Sequence, residues 1–337
     1  MKKDFKISDF ATALIVITIM VVLAIGLYAY RTSEKEQSID TLKCDKRDEI
    51  YNVLILGRDD AAGLSDVIML ASVNTGNGDI CFMQIPRDTY FNSSLSTYKK
   101  MNGAYNALGS ASAVSKAASE SLGVKIDYYL ALNLKTVEKL VDSVGGIEID
   151  IPADMDYTDE AQNLSIKFNA GKQNLNGKSA VEFLRYRAGY VTGDLGRIDA
   201  QKLFLNALAK KIVQIGNPFS MYNVLKLILK NGETNIKEKD LLSIGLKCYK
   251  AKNGTVSYVT APGEAIQSAE SGAWYYILSQ SSMNEVLLSR FEGDGSFDNQ
   301  NKFVDKSNKS FYDIYNKKCD IRIYSADDIE NHKININ

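Results

Sequence analysis

Tyr51-Asn-Val-Leu-Ile-Leu-Gly57 is a short, uninterrupted apolar run, and a loop rich in carboxylates follows it directly. An apolar run of this length without alternation predicts a strand that is buried on both faces. Two further runs of strand length follow at residues 67–73 and 80–85. Because such strands need a layer of other elements on each side, they predict the central sheet of an α/β domain.

Outward from these strands, the pattern alternates between helical and extended segments. Gly145-Gly146 is a helix-ending signal, and Asn102 is a suitable helix cap. The further predicted strands are 126–132, 147–151 and 255–260, and the predicted helices are 102–122, 134–144, 177–184, 197–215 and 235–247. This order predicts a three-layer α/β/α domain with a largely buried sheet.

The N-terminal region contains a run of 21 residues without a charge, from Phe10 to Tyr30. At about 1.5 Å per residue this run spans roughly 30 Å, the thickness of a bilayer's hydrocarbon core. Three lysines precede it, so the positive-inside rule predicts a cytoplasmic N-terminus at residues 1–9 and an extracellular chain after the anchor. A cleaved signal peptide and a buried core helix are the alternatives to this single-pass membrane anchor.

The rest of the chain divides into three parts. Residues 31–50 are polar and charged and are predicted to be a linker. Residues 51–290 are predicted to form the folded domain, with its core at 51–215. Beyond Phe291 the composition is rich in Asn, Asp, Lys and Ser, which predicts a peripheral or loose tail at 291–337.

Composition excludes several classes of function. The chain has 40 basic and 41 acidic residues, so no overall positive charge points to nucleic acid. It has one histidine, His332, which argues against a His-based triad and a histidine-rich metal site. The four cysteines form no CxxC pair, although a Cys248–Cys319 disulfide is possible outside the cell.

Asp59 and Asp66 lie in the loop that joins the first two predicted strands. Ligand sites in α/β domains form where strands end, and paired carboxylates there favour a hard cation such as Mg²⁺. A solvated turn is the alternative, because Asp and Gly are ordinary turn residues.

Arg87 follows Ile85-Pro86, at the end of the third predicted strand. Its planar guanidinium suits a phosphate better than a lysine would. The alternative is an ordinary surface pair between Arg87 and Asp88, which would contribute little stability.

A third group of polar residues contains three arginines that could bind a diphosphate together. Arg185 and Arg187 fall on one face if their segment is extended. Arg197 follows Asp194 at the start of a predicted helix, where backbone N–H groups also favour an anion, and Gln201 is one turn later. A charged helix face is the competing interpretation.

Taken together, these motifs resemble the LytR-CpsA-Psr family of the bacterial cell envelope, from about Asn52 to Lys211. Further weak similarity lies near Pro262-Gly263 and Trp274-Tyr275-Tyr276. The motifs that carry the resemblance are Leu56-Gly57-x-Asp59, Ser65-Asp66, Ile85-Pro86-Arg87-Asp88-Thr89, Met101-Asn102-x-Ala104-Tyr105, Gly145-Gly146-Ile147, Leu175-Asn176-Gly177, Arg185-x-Arg187 and Asp194-x-Gly196-Arg197.

The resemblance implies an enzyme that transfers a glycopolymer from a polyprenyl diphosphate carrier to peptidoglycan. It implies an apolar tunnel for the lipid, with the diphosphate at its mouth near Arg87, Arg185, Arg187 and Arg197, and Mg²⁺ on Asp59 and Asp66. We expect Asn102, Tyr105 and Gln201 to contact the substrate. The chain departs from the family pattern where Ala61, Leu64 and Ala200 replace frequent arginines.

The predicted reaction is a metal-assisted phosphoryl transfer in which no protein nucleophile takes part. Either Asp66 or Asp194 could accept the proton of the attacking hydroxyl. A lipid-carrier-binding regulator without turnover and a lipid-diphosphate hydrolase are the alternative functions. The sequence leaves open the identity of the glycopolymer and whether a protein glycan replaces peptidoglycan as the acceptor.

Overall fold

The computed structural model describes residues 50–59, 63–92, 99–160, 164–186, 194–214, 218–251, 254–325 and 328–329. The predicted N-terminal segment 1–9, the anchor at 10–30 and the linker up to residue 49 lie outside these ranges. Within the ranges, no helix combines the length and the apolar character needed to cross a bilayer.

The described chain alternates strands and helices, as the sequence predicts. The strands are β1 (Ile50–Asp59), β2 (Leu64–Asn74), β3 (Ile80–Gln84), β4 (Tyr128–Asn133), β5 (Ile147–Ile151), β6 (Met155–Asp159), β7 (Leu164–Phe168), β8 (Gly171–Leu175), β9 (Glu233–Thr234), β10 (Val256–Thr260), β11 (Gly263–Gln267), β12 (Trp274–Leu278) and β13 (Ile323–Ser325). The helices are α1 (Ala104–Leu108), α2 (Ala111–Leu122), α3 (Leu134–Ser143), α4 (Gly177–Arg185), α5 (Asp194–Gln214), α6 (Pro218–Asn231), α7 (Glu238–Ala251), α8 (Gln280–Arg290) and α9 (Lys309–Asn316).

Seven strands form a mixed central sheet in the order β13-β10-β3-β2-β1-β4-β9. Strand β1 pairs antiparallel with β2 and parallel with β4, while β3 pairs antiparallel with β2 and parallel with β10. The three apolar runs that open the domain therefore lie side by side at the centre of the sheet. Their position explains why they carry no polar alternation.

The two faces of the sheet are covered by two separate apolar clusters. Val53 and Ile55 of β1 pack with the cluster that contains residues of α3, α4, α5 and α6. Leu54 and Leu56, which point to the opposite face, belong to the cluster that contains α2, α8 and α9. The described part of the chain thus has the predicted three layers around a buried sheet.

The helix predicted at 102–122 is divided into two by Gly109 and Ser110. Gly109 ends α1 in the left-handed conformation, with φ of 81°, which favours glycine over other residues. Ser110 then caps α2 by accepting a hydrogen bond from the N–H of Ala113 at 3.2 Å. Asn102 lies in a 3₁₀ turn, Met101–Gly103, and is therefore not the predicted helix cap.

Strand β5 does not join the central sheet but pairs with β8 in a small two-stranded sheet. Its buried residues alternate with more exposed ones, the pattern of a sheet covered on one face only. The antiparallel pair β6–β7 and helix α6 are further elements that the sequence did not predict. Together with β8, they add contacts to the cluster that covers the α3–α6 face.

The sequence predicts a peripheral or loose tail beyond Phe291, but residues 291–325 are packed on the domain and are not loose. Phe297, Phe303, Phe311 and Tyr315 are all buried in the second cluster. Strand β13 completes the edge of the central sheet by pairing with β10. The polar composition hid this packing, because a few aromatic side chains bury enough surface to order a segment that is otherwise hydrophilic. Cys319, also in this segment, is a buried free cysteine, and the side chain of Cys248, its possible partner, lies outside the described part of the chain.

Replacing a buried aromatic residue of this C-terminal segment tests its place in the core. Phe303 is fully buried, so Phe303→Ala should lower the free energy of unfolding by about 3–5 kcal/mol. Leu288 is 55% exposed, so Leu288→Ala should change it by at most about 0.5 kcal/mol. Urea denaturation of the purified variants measures both values. An equally small effect of both substitutions would show that the segment is peripheral after all.

Candidate active site

Asp66 occupies a β-bulge where β1 and β2 come together. The register passes from Gly57 opposite Val67 to Arg58 opposite Ser65, so Asp66 is the extra residue on β2. Bulges turn a side chain away from the regular alternation and occur frequently beside active sites. A side chain at Gly57 would place its Cβ 2.8 Å from the Cβ of Val67, so the two strands can approach here only because residue 57 is glycine.

Arg87 lies in a tight turn of residues 86–89, which we call the Arg87 turn. The N–H of Thr89 donates to the carbonyl of Pro86 at 3.0 Å, and the N–H of Asn102 donates to the carbonyl of Arg87, also at 3.0 Å. The Nη1 of Arg87 lies 2.8 Å from Oδ1 of Asp66, and its Nε lies 3.7 Å from Oδ2 of Asp88. Residues from two predicted clusters therefore form one ion pair, the Arg87–Asp66 pair.

The contacts of Arg87 extend beyond the surface pair that is the alternative interpretation of this residue. The surface-pair alternative named Asp88, but the shorter contact is to Asp66, 21 positions earlier in the chain. Asp88 binds Lys100 more closely, with Nζ 2.7 Å from Oδ1. Both Arg87 and Asp66 are partly exposed, at 20% and 28% of their side-chain surface, so the pair is accessible from solvent.

Helix α5 is attached to the sheet beside the Arg87 turn. Gln84, the last residue of β3, donates from Nε2 to Oε1 of Gln201 at 3.2 Å, and both residues are buried. Arg197 is one turn before Gln201, about 6 Å along the helix axis. The first turns of α5 therefore lie near the end of β3 from which Arg87 extends.

A buried ion pair strengthens this attachment. Lys202 is almost fully buried, and its Nζ lies 3.0 Å from Oδ1 of Asp199 and 3.3 Å from Oγ1 of Thr260. Thr260 is the neighbour of Gln84 across the β3–β10 pairing. Burial raises the pKa of the Asp199 carboxyl, and the Lys202 ammonium opposes that rise. Breaking this pair would leave a charge in the interior, so it holds α5 at a defined position.

Tyr105 takes part in a network that sequence reasoning did not find. Its hydroxyl accepts from Nη1 of Arg58 at 2.7 Å and donates to Oε2 of Glu233 at 2.5 Å. The guanidinium carbon of Arg58 also lies 4.3 Å from the centre of the Tyr105 ring, a cation–π distance. Glu233 accepts the N–H of Ala111 at 2.8 Å and so binds the first residue of α2.

The environment of Tyr105 changes its acidity. Burial raises the pKa of the Tyr105 hydroxyl, its hydrogen bond to Glu233 raises it further, and the Arg58 charge opposes both effects. Arg58 could have been found from the sequence, because it lies between the motif residues Gly57 and Asp59. Glu233 belongs to a strand of only two residues, and no motif surrounds it. Only the pairing of β9 with β4 brings Glu233 to this network.

Several predicted site residues lie partly or wholly outside the described structure. Arg187 is outside the described ranges, and the side chains of Asp59, Asp194 and Arg197 are likewise not described. Arg185 is the last residue of α4, so the extended segment on which a shared face with Arg187 depended is not present at Arg185. It lies in the last turn, where a cation is favoured by the helix dipole.

The oxygen atoms around the bulge are compatible with a hard cation. Ser65, the residue before Asp66, has a buried hydroxyl for which the described residues supply no hydrogen-bond partner. The backbone of Asp59 pairs with Leu64, which places both aspartates within a few residues of this bulge. Among the described side chains no three carboxylates, cysteines or histidines converge. Mg²⁺ often uses one or two carboxylates and completes its shell with water and phosphate oxygens, so the residues present fit it.

A polar cavity of about 430 Å³ lies between α5 and the β5–β8 sheet. Its lining includes acidic, basic and amide side chains, among them Glu148, Lys172 and Asn206. This lining differs from that of the expected lipid tunnel, which would be apolar. The tunnel therefore stays a prediction.

Comparison with known proteins gives consistent results. A model of the LytR_cpsA_psr family matches residues 22–290. The polyisoprenyl-teichoic acid–peptidoglycan teichoic acid transferase TagU of Oceanobacillus iheyensis is 28% identical over 268 residues, which are 76% of this chain and 80% of that protein.

Two solved structures are similar in fold. Lin1025 of Listeria innocua is 27% identical with a TM-score of 0.52, and the match covers 72% of this chain and 97% of that one. The crystal structure of TagV from Bacillus subtilis is 24% identical with a TM-score of 0.59, over 72% of this chain and 96% of that one.

Removal of Glu233 tests the network around Tyr105. Glu233→Ala should lower the free energy of unfolding by about 1–2 kcal/mol, because it removes an acceptor from the start of α2 and the carboxylate that pairs with Arg58. Glu285→Ala is the matched control, since Glu285 forms an exposed ion pair with Lys318 at 3.1 Å and should contribute less than about 0.5 kcal/mol. Denaturation curves give both values, and equal effects would contradict a structural role for Glu233.

Proposed function

The chain belongs to the LytR-CpsA-Psr family, and from that premise we propose that it transfers a glycopolymer from a polyprenyl diphosphate carrier to peptidoglycan. Relatives that share 28% identity are named polyisoprenyl-teichoic acid–peptidoglycan teichoic acid transferases. Those names support a cell-wall glycopolymer transferase, with a lipid-linked donor and peptidoglycan as the acceptor. The glycopolymer need not be a teichoic acid, since its identity depends on contacts beyond the phosphate.

The observation that carries this proposal is the Arg87–Asp66 pair at the end of the central sheet. The guanidinium is held at 2.8 Å by a carboxylate from another strand, and its backbone is fixed by the turn and by Asn102. A guanidinium that is already oriented can bind phosphate oxygens through two parallel hydrogen bonds without further ordering. Arg87 would thus stabilise the charge that develops on the leaving phosphate.

The reaction that we propose is a direct displacement at phosphorus. A sugar hydroxyl of the acceptor attacks the phosphorus next to the glycan, and the bond from that phosphorus to the bridging oxygen breaks. The polyprenyl monophosphate leaves with the bonding electrons, and the glycopolymer remains attached to the acceptor through a phosphodiester. The hydroxyl proton passes to a carboxylate, for which Asp66 and Asp194 are the two candidates. No protein nucleophile is required.

Asp59 and Asp66 would hold Mg²⁺ in this proposal, next to the buried Ser65 hydroxyl. When it is bound, the cation would supply positive charge to the diphosphate oxygens. Arg185, Arg187 and Arg197 would contact the same headgroup from α4, the following segment and the start of α5. Asn102 and Tyr105 would contribute to the walls of the substrate site, whereas the buried Gln201 would act by holding α5 against the sheet.

The cellular location is a proposal of the same kind. The uncharged segment 10–30 and the lysines before it support a single-pass anchor in the cell membrane with a cytoplasmic N-terminus. The folded domain would then be extracellular, where lipid-linked donor and peptidoglycan meet. The linker at 31–50 would allow the domain to lie at a distance from the bilayer surface.

Arg87→Lys tests whether Arg87 acts on the transition state. The substitution keeps the charge and a partner for Asp66 but loses the planar pair of donors, so turnover should fall on the order of a hundredfold. The rate of lipid-diphosphate cleavage is measured with the purified protein. The melting temperature of the same protein is measured in parallel.

The control for this substitution is Arg290→Lys, at an exposed residue at the end of α8. It should change neither turnover nor the melting temperature, and Arg87→Lys should shift the melting temperature only slightly. Turnover by Arg87→Lys at the wild-type rate would rule out the central role of this arginine.

Asp66→Asn tests the metal site, because it keeps the shape of the side chain but removes its charge. We expect it to weaken Mg²⁺ binding, measured by calorimetry without substrate, at least about tenfold, and to abolish Mg²⁺-dependent transfer. Asp156→Asn changes an exposed carboxylate paired with Lys167 at 3.9 Å and should leave both readouts unchanged. A chelator should stop the wild-type enzyme, and activity that persists in its presence would refute the metal assignment.

A further inference from the structure

Trp274 is the most exposed large hydrophobic side chain in the described part of the chain. It leaves 58% of its surface in solvent, compared with 40% for Tyr312, the other exposed aromatic residue of this set. It is also the single tryptophan of the protein. Exposed tryptophans of this kind are frequent where a partner or ligand supplies the missing contacts.

The strand that begins at Trp274 is hydrogen-bonded to the Arg87 turn. The N–H of Tyr276 donates to the carbonyl of Asp88 at 3.0 Å, and the N–H of Tyr90 donates to the carbonyl of Tyr276 at 2.9 Å. These two bonds form a parallel bridge between Thr89 and Tyr276. Trp274 and Arg87 each lie two residues before this bridge, so the strand that carries Trp274 is attached directly to the Arg87 turn.

The support beneath Trp274 is rigid. The hydroxyl of Tyr276 lies 3.0 Å from the carbonyl oxygens of both Ala261 and Gly263. The ring of Tyr275 packs on Tyr90 and Phe311, with centroid distances of 5.8 and 5.3 Å. An aromatic side chain on such a strand loses little further freedom when a ligand binds.

The surroundings of Trp274 indicate the chemistry of its ligand. Between Gly263 and Leu278 the chain has two acidic residues, Glu264 and Glu270, and no lysine or arginine. Gln267, the neighbour of Trp274 across the pairing of β11 with β12, is exposed. A flat aromatic surface beside the amide of Gln267 suits a sugar ring, whose C–H groups stack on the indole while its hydroxyl groups reach the polar atoms.

We propose that Trp274 is a stacking platform for a pyranose ring of the acceptor glycan, beside the Arg87–Asp66 pair. The charges against the β11–β12 pair are balanced, since Lys317 pairs with Glu264 and Lys100 pairs with Asp88. A surface without an excess of basic residues favours the acceptor sugar over an anionic donor polymer and over an anionic lipid surface. This inference rests on the proposed transfer to a glycan acceptor. In that reaction the platform would place the acceptor sugar next to the phosphorus that its hydroxyl attacks.

The intrinsic fluorescence of the one tryptophan provides a test that does not depend on turnover. The full chain in nanodiscs of zwitterionic lipid is titrated with soluble peptidoglycan oligosaccharides, and a saturable change in fluorescence is expected. In a second arm, the protein is titrated with a donor glycan that lacks its lipid. In a third arm, the protein is placed in nanodiscs of anionic lipid. No change with the oligosaccharides, or a change with the donor glycan or anionic lipid alone, would overturn the proposal.

Kinetics of variants provide the second readout. Trp274→Ala should raise the acceptor KM about tenfold and leave kcat and the melting temperature nearly unchanged, while Trp274→Tyr should restore much of the affinity. Tyr312→Ala, at the other exposed aromatic residue, is the matched control and should leave KM as it is. An unchanged KM in Trp274→Ala would contradict the stacking role. If the wild type transfers nothing, the proposed function fails, and the fluorescence titration alone decides whether Trp274 binds sugar.

Discussion

The candidate active site depends on the β-bulge between β1 and β2. At this point two buried strands come so close that residue 57 has no room for a side chain, and Asp66 is displaced from the regular alternation. That displacement lets the Asp66 carboxylate reach Arg87 from a neighbouring strand instead of following the inward–outward pattern of β2. If Asp66 followed the regular pattern, Arg87 would lose this contact. Its remaining acidic partner would be Asp88 in the same turn, at 3.7 Å.

Several independent elements then fix the Arg87 turn from different sides. The 3₁₀ turn at Met101–Gly103 binds its carbonyl groups, and β12 pairs with Asp88 and Tyr90 on another side. Helix α5 is held beside it by the contact between Gln84 and Gln201 and by the buried Lys202. The proposed phosphoryl transfer would benefit from this arrangement, because charge stabilisation is most effective when the charged groups need not reorganise during the reaction.

The distribution of charge at this end of the sheet differs from the family pattern in an informative way. Leu64 is uncharged where the family often has an arginine, but Arg58 is opposite the next residue, Ser65, across the strand pairing. Its guanidinium is held by Tyr105 and Glu233, and its side chain is 26% exposed. A guanidinium is therefore present at this end of β1 and β2, although it comes from Arg58 on β1 and not from position 64 on β2.

The sequence alone determined strands β1 to β4 and β10 of the central sheet, most of the helices around it, and the positions of Asp59 and Arg87 where strands end. It placed Asp66 in a loop, whereas the structure places this residue at a bulge within β2. Local patterns suffice for these strands and helices, because continuous apolar runs and helix-ending glycines reflect interactions between residues that are close in the chain. The C-terminal segment, Glu233 and the platform at Trp274 depended on tertiary structure. Phe303 and Phe311 order a polar segment only because the sheet offers them a surface, and Glu233 reaches Tyr105 only through the pairing of β9 with β4. Contacts between residues more than 100 positions apart leave no periodic signal in one sequence, so only the folded chain brings these groups together.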